Sequence, residues 1–151
     1  MNLTSVYDSP GLAAHYLFML LGERRPEESI SHRRMPSWQE HQAFVASRPY
    51  DAWYLIEDHG SVVGAVNLTR QDEIGVFLFR DHQGRGLGQK AVRMLIEKHP
   101  RPRYLANVAP GNGRSIRLWE RLQFRHIQNT YELTASEGTP CSISTPATAA
   151  L

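Results

Sequence analysis

The stretch RDHQGRGLGQKAV, residues 80–92, puts glycines at alternate positions, Gly84, Gly86 and Gly88, directly before a basic run with apolar residues at helical spacing. Glycine allows close backbone approach and conformations that other residues avoid. A glycine-rich turn that opens a helix is suited to an anion, because the first N–H groups of a helix are unpaired and its dipole adds favourable potential. Two common phosphate-binding patterns are absent. No G-x-x-x-x-G-K-[ST] string occurs, and a G-x-G-x-x-G fingerprint begun at Gly84 or Gly86 needs its third glycine at Gln89 or Ala91. What stands is Q-x-x-G-x-G, at Gln83, Gly86 and Gly88. Arg85 and Lys90 bring positive charge to the same loop, so an anion can be held without a metal.

Upstream of the loop, EIGVFLF (73–79) has few polar residues and reads as a strand buried on both faces. Before it, AWYLIED (52–58) and VVGAVNLTR (62–70) flank the turn HGS and read as a hairpin. Two helices precede these strands. One starts at Asp8 or Ser9, with Pro10 in its first turn, and runs to about Leu21. The other opens on a capping box made by Ser37 and Glu40. The polar, proline-bounded segment 24–36 between them reads as a loop. Downstream, a helix runs from about Gly86 to Lys98, RYLANVA (103–109) reads as a strand, and GNGRSIRLWERLQF (111–124) as a turn and an amphipathic helix. FRHIQNTYELT (124–134) reads as a closing strand. Residues 134–151 are rich in Ser, Thr, Ala and Pro, with little to bury, and read as a disordered low-complexity tail behind a single domain, 1–133.

The chain has 151 residues, a formal charge of +2 and 41% hydrophobic residues, which suits one globular domain with its own core. No block of five Lys or Arg occurs, so neither nucleic acid nor a membrane surface is an expected partner. The apolar run HYLFMLL (15–21) is too short to span a bilayer and lacks a basic start. One cysteine, Cys141, permits no internal disulfide. A cytoplasmic protein is the expectation.

About twenty residues after the loop comes ANVAPGNGRSIRLWERLQF (106–124). Together, Q-x-x-G-x-G after a strand and N-x-x-S-x-x-x-(aromatic) on the next helix resemble the GNAT superfamily of acyl-CoA N-acyltransferases. Asn112, Ser115, Trp119 and Phe124 fall on the second pattern. The resemblance covers residues 52–133. It implies an α+β fold, an α/β/α sandwich with a mixed, mostly antiparallel twisted sheet, splayed fourth and fifth strands and about four helices. It also implies acetyl-CoA as acyl donor. Val76, Phe77 and Leu78 would lie beside the pantetheine arm. The backbone of Gln83, Gly84, Arg85, Gly86, Leu87, Gly88 and Gln89 would hold the pyrophosphate. Asn112 would reach the CoA chain from the far side; on the same helix Ser115 would contact the cofactor and Trp119 would line the thioester end of the CoA channel. An N–H near Leu78 would polarise the thioester carbonyl. Two departures are present: Gln123 stands where the family commonly has glycine, and Trp119 where it frequently has tyrosine.

Such a reaction is attack of an amine on a thioester. The acceptor would be a primary amine of a small molecule, for instance an amino sugar, or of a peptide. An ammonium, with a pKa of about 10, must lose a proton first. Glu73, beside Asp72 at the start of a strand, is the first candidate base, and His41 the second. Tyr131 and Ser115 are candidate proton donors. Among Tyr50, Trp53 and Tyr54, two are expected in the core and the rest against an acceptor. Arg33 and Arg34 are candidates for an acidic acceptor. The seven histidines form no H-x-H or H-E-x-x-H pair, so no metal is expected. Cys141 has no adjacent base, which favours a ternary complex over an acyl-cysteine. A non-catalytic acyl-CoA-binding module is the alternative, and homodimerisation through a free sheet edge is a further expectation.

Overall fold

The computed structural model describes residues 1–30 and 34–135. Arg33, Cys141 and nearly all of the expected tail lie outside those residues.

Four strands form one antiparallel sheet in the order β1-β2-β3-β4: β1 (Asn2–Ser5), β2 (Ala52–Asp58), β3 (Ser61–Leu68) and β4 (Ile74–Leu78). The helices are α1 (Pro10–Gly22), α2 (Trp38–Ala46), α3 (Leu87–Lys98) and α4 (Gly113–Arg121). Alternation along the strands sends side chains to two cores. On one face Trp53, Leu55 and Ala65 pack with Ala13, Ala14 and Leu17 of α1 and Val45 of α2. On the other, Ile56, Val66, Leu68 and Ile74 pack with Ala91, Val92 and Leu95 of α3 and Trp119 of α4. This is the expected α/β/α sandwich. Among the described residues no helix is long and apolar enough to cross a membrane.

The local signals act as read. Ser37 Oγ accepts from the Glu40 N–H at 3.2 Å and Glu40 Oε2 accepts from the Ser37 N–H at 2.6 Å. Pro10 occupies the first turn of α1. The loop after α1 contains a short 3-10 turn at Pro26–Glu28.

Four expectations are corrected. β1 escapes the sequence reading, since four residues are too few to show a period; it pairs with β2 from Asn2↔Glu57 to Ser5↔Tyr54. β4 is not buried on both faces. Only Ile74 is fully buried, and residues 75–78 are half-exposed. The reason is the third correction: residues 103–109 form no strand. They touch β4 through a single parallel bridge, Glu73↔Leu105, where Ile74 N–H donates to Leu105 O at 2.8 Å and Leu105 N–H to Asp72 O at 2.9 Å. Beyond it the two segments part, and β4 keeps an open edge. Fourth, residues 125–133 form no closing strand and lie at the surface, except that Glu132 and Leu133 retain contacts. Phe124 ends the packed chain against Trp119, with ring centroids 4.9 Å apart.

Candidate functional site

The open edge of β4 has a definite chemistry. Thr69 N–H donates to Glu73 O and Phe79 N–H to Val63 O, so odd-numbered residues bond to β3. Antiparallel alternation then turns the N–H and C=O groups of Val76 and Leu78 outward, away from the sheet. The Leu78 carbonyl is taken by Gln83 Nε2 at 2.9 Å, whereas the outward N–H groups have no backbone partner among the described residues.

The glycine loop stands at the end of this edge. Gly86 is the N-cap of α3 at φ +77°, and Gly84 has the same φ. A Cβ at Gly86 would meet no atom within 4 Å, so the loop needs glycine for its backbone conformation and for what approaches from outside. Gln83, through Leu78 O on one side and the Arg114 guanidinium on the other, ties β4 to the start of α4. Arg114 is a contact the sequence reading missed.

The second motif builds α4. Asn112 Oδ1 caps the helix by accepting from Ser115 N–H at 3.1 Å, and Ser115 Oγ accepts from Trp119 Nε1 at 3.1 Å. At the far end Phe124 N–H donates to Trp119 O and Gln123 N–H to Glu120 O, a pattern that requires a left-handed residue between helix and strand-like chain. Gln123 fills that place at φ +67°. This explains why glycine is common there, and the side chain costs about 1–2 kcal/mol. Trp119 is only 6% exposed and belongs to the core. Trp119→Ala should therefore cost about 3–5 kcal/mol of stability in urea unfolding. Trp119→Phe should keep acetyl-CoA turnover within about tenfold, since an indole is no acid near neutral pH; abolished turnover with CoA still bound would make the indole a direct participant.

The two candidate bases separate. Asp72 sits at φ +61° with Oδ1 3.4 Å from Arg101 Nε, so it is a turn residue held by an ion pair. Glu73 is half-buried at the head of β4, and its Oε1 accepts from Asn107 Nδ2 at 2.9 Å. Asn107 was not singled out in the sequence; the Glu73↔Leu105 bridge brings it there. His41 is not placed at β4. It is 3% exposed between α1 and α2, with Nε2 donating to Ala14 O at 2.9 Å and the rings of Phe18 and Trp38 about it. Burial, opposed by the Ala14 carbonyl, holds its pKa below the usual histidine value. The unfolded chain thus takes up this proton more readily. The stabilisation is complete above about pH 6.5 and is lost as pH falls through the folded value. The unfolding midpoint should drop on acidification from pH 7.5 to 5 more steeply in the parent than in His41→Gln; parallel slopes would count against this account.

Trp53 is buried in the α1–α2 core, and Tyr54, on the opposite face, bonds His99 Nε2 at 2.8 Å. Tyr50 is half-buried, and its hydroxyl has no hydrogen-bond partner among the described residues. Arg34 is 78% exposed and paired with Glu40 at 3.1 Å. Tyr131 is 90% exposed. A hollow of about 450 Å³ lies between α1 and the β2–β3 turn and contains no motif residue; an open strand edge is a groove rather than a cavity. No group of three or more His, Cys, Asp or Glu is placed to hold a metal among the described residues.

Comparison with known proteins agrees with this architecture. The model of the acetyltransferase (GNAT) family matches residues 16–124. A ribosomal-protein-alanine N-acetyltransferase from Brucella melitensis superposes with a TM-score of 0.62 at 17% identity, over 89% of this chain and 98% of that one. A variant of spermidine N-acetyltransferase from Vibrio cholerae gives 0.59 at 18%, over 80% and 78%. RimL, a ribosomal-protein α-N-acetyltransferase solved with coenzyme A, gives 0.62 at 18%, over 79% and 76%. No curated protein matches the chain.

Proposed function

Since the chain belongs to the acetyltransferase (GNAT) family, we propose that it transfers an acetyl group from acetyl-CoA directly to a primary amine, of a small molecule or a peptide, in a ternary complex. The observation that carries this reading is the open edge of β4, where two outward N–H groups run into a glycine loop at a helix start. Those donors suit an amide-bearing arm that lies along a strand, and the loop suits a pyrophosphate. Val76, Phe77 and Leu78 would flank the arm, and the backbone of residues 83–89, with Arg85 and Lys90 near, would take the phosphates. The donor supplies an activated acetyl group.

The chain's own groups then divide the remaining work. An outward N–H at Leu78 donates to the carbonyl oxygen as negative charge develops there. Glu73, fixed by Asn107, accepts the ammonium proton directly or through water, so that the free amine can attack. A departing thiolate lies only about 1.5 pK units above pH 7 in protonation, so it can leave without a dedicated acid.

The test is free-thiol release from acetyl-CoA with a panel of amines, beside calorimetric CoA binding. Turnover with any amine supports the enzyme. Tight CoA binding with a flat panel supports the non-catalytic module, which the absence of a hydroxyl at Trp119 keeps in play.

A further inference from the structure

The face of β4 opposite α3 adjoins groups that the acetyl-transfer reading does not use. Glu73, Gly75 and Phe77 share this face, since Ile74, Val76 and Leu78 pack on the other. Arg24, just after α1, lays its guanidinium carbon 4.0 Å from the centroid of the Phe77 ring. It is half-buried, and no carboxylate among the described residues lies within ion-pair distance of it. Of the groups that act on its charge, the Tyr50 phenol comes first and Glu28 second, and Glu28 accepts from the Arg25 N–H at 3.1 Å. Burial accordingly pushes the Arg24 pKa down from its usual value.

On β3, opposite Gly75, lies a buried amide without an assigned task. Asn67 is 8% exposed, and its side chain has no hydrogen-bond partner among the described residues. Among the described residues no side-chain polar atom sealed from solvent lacks a partner, so the polar atoms of this amide keep some contact with solvent. It lies across Gly75, where a Cβ would come within 2.6 Å of Asn67 Oδ1; only glycine leaves it room. Asn67 pairs with Gly75, and Ala65 with Phe77, which makes Asn67 and Phe77 diagonal neighbours about 7–8 Å apart. Tyr50 approaches from the α2 side. Its backbone is fixed by Tyr7, whose hydroxyl donates to Tyr50 O at 2.8 Å and accepts from Tyr50 N–H at 3.2 Å, while its own hydroxyl bonds to nothing described.

An unpaired guanidinium on an aromatic face, an open buried amide and a free phenol are the complement of a planar anion. We propose that the amine acceptor carries a carboxylate, gripped by Arg24 with Asn67 and Tyr50 beside it, so that the substrate is a small amino-acid-like amine. This rests on the acetyl-transfer reading and adds the acceptor class. It moves acidic recognition from Arg33 and Arg34 to Arg24.

The experiment titrates CoA-saturated protein with the common L-amino acids and their primary amides, then measures thiol release from acetyl-CoA with the same pairs. At least one amino acid should bind about ten- to a hundredfold more tightly than its amide. Arg24→Gln should erase that preference by raising the acceptor KM, with the acetyl-CoA KM and CoA affinity unchanged and the unfolding midpoint lowered only slightly by the lost cation–π contact; Arg24→Lys should restore part of it. Equal binding of acids and amides, no binding of either, or an Arg24→Gln defect shared by all amines would overturn the proposal. Carboxylate-selective binding without thiol release would sink the acetyl-transfer reading alone, and turnover of amides as fast as acids would sink this inference alone.

Discussion

Replacing Glu73 by glutamine should lower acetylation turnover by about a hundred- to ten-thousandfold, the usual worth of a general base, and leave the acetyl-CoA KM within about twofold. The split is expected from the geometry. Glu73 stands at the head of β4, on the face away from α3, whereas the groups offered to CoA are the outward amides and the glycine loop further along. Glutamine keeps the size of the side chain and can still bond Asn107, so a fall in turnover is not a loss of shape. The decisive reading is the pH profile. An amine of pKa about 10 deprotonates unaided as pH rises, so the deficit should shrink steadily toward pH 10. A profile scaled down by one factor at every pH would remove Glu73 from proton transfer. Asn107→Ala should show a milder form of the same profile, because it only positions the carboxylate.

Replacing Gly86 by valine should weaken CoA binding at least about a hundredfold. Two charge-assisted hydrogen bonds at about 1.5–3 kcal/mol each set that floor. At φ +77° a β-branched residue is strained, and relaxing it swings the first N–H groups of α3 away from their common direction. The surrounding protein does not object to a side chain there, since a Cβ would meet nothing within 4 Å. That gives a control. Asparagine tolerates the left-handed conformation, so Gly86→Asn should keep the parental unfolding midpoint while its side chain occupies the ligand's space and lowers affinity. Calorimetric titration with CoA measures both variants. Unchanged affinity in both would mean that the loop is a turn and nothing more.

Where the sequence was legible, one local rule governed each residue. The capping box at Ser37, the proline at the start of α1, the hairpin around HGS and the helix that opens at the glycines all depend on neighbours a few positions away. The failures share the opposite cause. A strand at 103–109 was expected because its residues are apolar and extended, but a strand is defined by its partner, and here the partner is met only at Leu105. The same missing partner misled the reading of β4, whose apolar run looked like a strand covered on both faces. In the site, the motif residues announced themselves by spacing, while Asn107, Arg114, Asn67 and Arg24 did not. Each gains meaning from a contact across 31 to 53 positions or from a neighbouring strand: Asn107 from Glu73, Arg114 from Gln83, Arg24 from Phe77. Trp119 was visible as a departure from the family pattern. Its bond to Ser115 and its burial needed the fold.

The pleat of β4 also governs how this protein can change over evolutionary time. Even-numbered residues aim their amides at the edge where the acyl donor is proposed to lie; odd-numbered ones aim their side chains at the proposed acceptor. Substituting an odd-numbered side chain leaves the donor-side backbone untouched, so a new amine can be adopted without rebuilding the hold on acetyl-CoA. A single inserted or deleted residue between Glu73 and Leu78 exchanges the two sets at once and spoils both. Innovation in this stretch is thereby confined to point substitution.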